Sequence, residues 1–141
     1  MVFLPHGCKN NEECIVKNEK LEIKNDIAAR SIQYALQVIH LYRELQQDEV
    51  GRVIGKQFLR SGTSIGANVQ EAQGAQSKAD FIAKMSIAYK EALESAYWLR
   101  IFERAKITSG GRLAGLVDET EQLIKIISAI LITAKRGKKT A

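Results

Sequence analysis

The chain has 141 residues, 45% of them hydrophobic and 26% charged, the balance of one soluble globular domain large enough to bury a core without staples. A single proline in that length leaves room for long uninterrupted helices and indicates an all-α class. The formal net charge of +5 favours an anionic partner, but residues 1–26 carry −1, residues 27–134 carry +2 and residues 135–141 carry +4, so the basic character is mostly a tail.

Residues 1–24 read as an irregular N-terminal arm, loop or disordered, with Pro5, Gly7 and the Asn10-Asn11 pair and no sustained periodicity. Both cysteines, Cys8 and Cys14, fall in it. With no secretory segment in view, they are expected as reduced thiols of a cytoplasmic protein. The opening Met1-Val2-Phe3-Leu4-Pro5 has no positive n-region. The most apolar stretch, Leu123 to Thr133, contains Lys125 and is too short to span a bilayer, so no membrane association is expected. His6, Cys8 and Cys14 offer three potential ligands at irregular spacing, and neither a metal nor a cofactor is expected.

Four periodic segments follow. The first is predicted from an N-cap at Asn25 or Asp26 to about Gln47, with Ala28, Ile32, Ala35, Val38, Ile39, Tyr42 and Leu45 at 3–4 spacing. The second starts after Asp48 and ends at Gly74. Its interior glycines Gly51, Gly55, Gly62 and Gly66 each cost about 1 kcal/mol against alanine, which close approach of another helix would offset. The third opens on the capping box Ser77-Lys78-Ala79-Asp80, carries the pair Asp80/Lys84, and runs through Phe81, Met85, Ala88, Tyr89, Ala92, Ala96 and Leu99 to about Lys106. After Ser109-Gly110-Gly111, the fourth sets Leu113, Leu116, Thr120, Leu123, Ile127, Ile130 and Ala134 at alternating 3 and 4 spacing. Short connections between long helices imply an antiparallel up-down-up-down four-helix bundle over residues 25–136, with 137–141 as a basic tail.

Two of these helices are too apolar for a lone bundle. Ile87, Trp98 and Ile101 on the third lie opposite its core face, and Ile124, Ile126, Leu131 and Ile132 widen the stripe of the fourth. A second apolar face implies a homo-oligomer interface, chiefly Ile87, Trp98, Ile101, Ile126 and Ile132, unless the arm covers it.

Arg52, Lys56 and Arg60 recur at i, i+4 and i+8 on the second helix, a like-charge stripe that an RNA phosphate backbone would neutralise. The plainer account is a solvated face whose acids come from neighbouring helices. The tail residues Lys135, Arg136, Lys138 and Lys139 could sample phosphates without sequence preference, or simply complement the negative end of the fourth helix. Arg60, Ser64, Asn68 and Glu71 share one flank as a hydrogen-bond network beside the packed Ile65. No catalytic residue is assigned, because no histidine or second convergent carboxylate stands beside that flank. His40 is a lone histidine, and Glu91 and Glu94 lack the Glu-x-x-His partners of a di-metal bundle. The chain is expected not to be an enzyme.

The run Leu59-Arg60-Ser61, then Ser64-Ile65-x-Ala67-Asn68-x-x-Glu71, then Phe81, Ser86-Ile87-Ala88, Glu91-Ala92 and Tyr97-Trp98-Leu99-Arg100, resembles the small proteins encoded within intervening sequences of bacterial 23S ribosomal RNA genes. The resemblance covers roughly residues 26–134. It implies a homo-oligomeric bundle, commonly a pentamer, with no known catalysis and a suspected association with RNA. Gly66 and Ala72 depart from the proline and glycine frequent in that family at these positions. The chain is also similar to the accessory protein of diversity-generating retroelements, which implies a reverse transcriptase as an alternative partner.

Overall fold

The computed structural model describes residues 11–137, with side chains from residue 27 onward, as four helices: α1 (Asn11–Leu45), α2 (Glu49–Gln73), α3 (Lys78–Arg104) and α4 (Gly111–Arg136). The described residues contain no strand. Each helix packs on its neighbours in the chain, and α4 closes on α1 less extensively than the other pairs meet. Contacts climb one helix as they descend the next. Phe58 meets Phe102, Ser61 meets Ser95 and Glu71 meets Lys84 across α2 and α3, while Arg30 meets Glu119 and Glu44 meets Arg112 across α1 and α4.

The first helix begins at Asn11, not at Asn25 or Asp26, so residues 11–24 are helix where an irregular arm is expected. Their strong helix formers, Glu12, Glu13, Lys17, Glu19, Lys20, Leu21, Glu22 and Lys24, outweigh weak apolar periodicity. The expectations for residues 1–10, including His6 and Cys8, and for the side chain of Cys14 lie outside what is described. The other boundaries follow their caps. Asp48 accepts from the Gly51 amide at 2.7 Å to start α2, and Ser77 accepts from the Asp80 amide at 3.0 Å to start α3.

On α1 the buried positions are Ile27, Ser31, Tyr34, Val38, Leu41 and Leu45, a heptad seam rotated from the expected one. Ile32, expected inside, is 55% exposed. On α4 the seam ends at Leu131, while Ile130 and Ala134 are half-buried, because a straight helix drifts off a strict seven-residue repeat.

The α1–α2 contact depends on missing side chains. A Cβ on Gly62 would lie 2.7 and 2.8 Å from the two methyls of Val38, and one on Gly66 would lie 3.2 Å from the Ser31 hydroxyl. Close approach of the backbones offsets what these glycines cost the helix. α2 runs unbroken through Gly66.

One layer in the interior is made of hydroxyls, one from each helix. Tyr34 lies 2.7 Å from Thr120, Ser95 lies 3.0 Å from Ser61, and Ser95 is within reach of Tyr34. Thr120 donates to the Leu116 carbonyl at 2.6 Å, so the Tyr34 hydroxyl is the donor between those two. Burial pushes the Tyr34 phenol up to about 12.

α3 ends with Ile107 donating to the Phe102 carbonyl at 3.0 Å and Lys106 to the Glu103 carbonyl at 3.2 Å, the paired bonds of a Schellman stop. Lys106 takes the left-handed position there, φ 55°, which glycine usually fills.

Candidate nucleic-acid interface

Arg52 and Lys56 stand one turn apart on α2, both exposed and neither ion-paired with another described residue. Arg60, the third member of the expected stripe, is drawn off it. Its guanidinium donates to both Glu91 oxygens at 3.1 and 3.2 Å and to Glu94 at 2.6 Å. The cause is helical geometry, since Arg60 precedes Ser61, whose hydroxyl meets Ser95 of α3, whereas Arg52 lies half a turn away from Ser61. For Arg60, the neighbouring helix does supply the acids.

Glu94 continues the chain of contacts. It accepts from the Trp98 indole at 3.2 Å, and the Trp98 ring meets Tyr97 edge-on, centroids 5.0 Å apart. Arg60 first, then Trp98, hold the Glu94 carboxyl below the usual glutamate value of about 4.5. The other motif side chains serve their own helix. Ser64 donates to the Arg60 carbonyl at 2.6 Å and Asn68 to the Ser64 carbonyl at 2.8 Å, while Ile65 is fully buried. Glu71 takes the Lys84 ammonium at 2.9 Å, so the expected Asp80/Lys84 pair gives way to a bond across helices.

Among the expected interface residues, Ile87 and Ile132 are exposed, at 41% and 50%. Trp98 and Ile126 are half-buried against the core, and Ile101 is half-buried as well. Lys135 and Arg136 are exposed in the last turn of α4, and Lys138 and Lys139 lie outside the described residues. Sequence reasoning missed Glu91 and Glu94 as partners of Arg60. Their own spacing, three residues apart on one side of α3, was the available signal.

A groove of about 500 Å³ lies between α1 and α4, over Tyr34 and Leu116. Its cations are committed across it. Arg30 forks onto Glu119 at 2.9 and 3.0 Å and reaches Gln122 at 2.7 Å; Arg112 bonds Glu44 at 2.8 Å and Gln37 at 2.9 Å. Among the described residues, no three His, Cys, Asp or Glu side chains are grouped to hold a metal ion, and no helix is long and apolar enough to cross a membrane.

The family model for the 23S rRNA-intervening sequence protein matches residues 23–129, which takes in the α2–α3 network and most of the bundle. The chain belongs to this family. A crystal structure of a protein of unknown function from the S23 ribosomal protein family of Bacteroides thetaiotaomicron is 38% identical, covers 77% of this chain and 97% of its own, and superposes with a TM-score of 0.73. A search of curated proteins finds no match. In this 23S rRNA-intervening sequence protein, the Arg60 motif thus ties α2 to α3.

The chain's single tryptophan sits inside that network, which makes it testable by fluorescence. A depressed carboxylate contributes stability that is present above its unfolded value and lost as pH falls through the folded one. Trp98 emission should therefore hold steady down to about pH 4.5 and change below it. Arg60→Met should move that midpoint upward. An unmoved midpoint would mean that Arg60 does not hold Glu94.

Proposed function

We propose that this protein is a non-enzymatic, cytoplasmic homo-oligomer, a pentamer by family resemblance, that contacts RNA through phosphates. The observation that carries the reading is where unpaired positive charge is grouped. Arg30, Arg60, Lys84 and Arg112 are paired, whereas Arg52 and Lys56, one turn apart on α2, and Lys135 and Arg136, adjacent on α4, are among the exposed cations that have no ion-pair partner among the described residues. Membership of a family named for 23S rRNA supports RNA as the anion. Exposed apolar neighbours on one helix face, Ile32/Leu36 on α1 and Val50/Val53 on α2, support assembly, because adjoining apolar side chains form a patch that a partner would cover.

Affinity for a structured RNA across a salt series tests the reading. Binding should weaken with salt, and Arg52→Glu/Lys56→Glu should flatten the log–log slope by about 1.4–1.8 while sedimentation shows an intact oligomer. Absence of binding at low salt would defeat it and favour a protein partner, a reverse transcriptase among them.

A further inference from the structure

The outer face of α3 carries Lys90, Leu93, Tyr97, Arg100 and Arg104, alternating three and four residues apart, so they form one stripe along the helix. All five are exposed, Tyr97 at 54% and Leu93 at 44%. None of the three cations is ion-paired among the described residues, and no acid interrupts the row. Arg100 lies nine residues from Glu91, half a turn from the side that meets α2, so the stripe is separate from Arg52 and Lys56. Of the acids beside the row, Glu91 and Glu94 are taken by Arg60, and Glu103, three residues from Arg100 and about 60° from it around the helix, forms no ion pair with a described residue.

At its middle stands an aromatic ring held from behind. Tyr97 rests on Trp98, whose indole is bonded to Glu94, which Arg60 clamps at 2.6 Å. The family motif therefore braces a surface ring.

From this arrangement we infer that the α3 stripe is a binding track for single-stranded RNA, with Tyr97 as a stacking platform for a base and Lys90, Arg100 and Arg104 meeting phosphates. This rests on the proposed RNA contact and says where and how it is made. Interleaved arginines and an exposed ring suit unpaired nucleotides, whose base faces are open. A duplex hides those faces. Two copies of the chain cannot meet stripe to stripe, since three unpaired cations of one would face three of the other.

The test is fluorescence anisotropy with a labelled oligouridylate and, separately, an RNA duplex, with melting curves and sedimentation as controls. Tyr97→Ala should weaken oligouridylate binding about tenfold without changing the salt slope or duplex affinity, and Tyr97→Phe should restore it. Arg100→Gln/Arg104→Gln should lower the slope by about 1.4. Unchanged affinity in both variants, with the wild type still binding through Arg52 and Lys56, overturns the track but spares the proposed function. Loss of oligomer mass in Tyr97→Ala at unchanged oligouridylate affinity would make the stripe a subunit contact and likewise overturn it. No binding by the wild type overturns both.

Discussion

Phe102→Ala should cost the bundle about 3–5 kcal/mol, the largest loss expected of a single truncation here. The ring is fully buried and stands at 89° to Phe58, centroids 5.4 Å apart, so α2 and α3 share one aromatic contact at the end where both loops lie. Truncation removes the transfer energy and leaves a hole among long, committed helices that cannot collapse locally. It also empties the space behind the Schellman stop, whose outer bond ends on the Phe102 carbonyl. Phe58→Ala should cost nearly as much, and the double variant should fall short of the sum by about 0.5–1.5 kcal/mol for the lost edge-to-face pair. Urea unfolding at fixed protein concentration reads all three. A loss under about 1 kcal/mol for Phe102→Ala would show that the rings do not bear on stability in this way.

Gly62→Ala should destabilise by about 1–2 kcal/mol, although alanine is the better helix former by about 1 kcal/mol. The added methyl would collide with both methyls of Val38, a β-branched side chain that has one favoured rotamer on a helix and cannot swing aside. Either α1 and α2 move apart or the core strains. Val38→Ala in the same chain should remove the collision, so the pair should couple favourably in a double-mutant cycle. If Gly62→Ala alone stabilises the protein, the two backbones are not held as close as the glycine implies.

Where the sequence is legible, local chemistry writes the signal. Asp48 and Ser77 announce helix starts because their side chains cap the turns that follow them. The start of α1 is harder, since residues 11–24 are helical by propensity with little apolar rhythm to read. Its buried face is also misread, because Ser31 and Tyr34 lie inside while Ile32 and Leu36 face out. Polarity misleads wherever a core layer is built of hydroxyls. The candidate site shows the complementary difficulty. The positive charge of Arg60 is visible in the sequence, but its neutralisation depends on two glutamates about thirty residues away on another helix, which only packing can bring near. Trp98 and Tyr97 are neighbours in the chain, about 100° apart on the helix, and that angle puts the larger ring partly inside and the smaller one outside.

The hydroxyl layer of Tyr34, Ser61, Ser95 and Thr120 bears on why the chain settles into one arrangement. Apolar seams repeat every seven residues, so a helix that slid by one heptad would still present leucines and isoleucines to its neighbours. Slippage would part Tyr34 from Thr120 and Ser95 and leave its hydroxyl facing hydrocarbon at about 1–3 kcal/mol, whereas Ser61, Ser95 and Thr120 would keep the carbonyls of their own helices. The polar layer therefore discriminates among alternatives that the greasy ones accept, and it lies at the level of Arg60 and its glutamates. The residues that choose the alignment of the four rods are the neighbours of those that clamp the indole, so a misaligned bundle would present no braced ring at its surface.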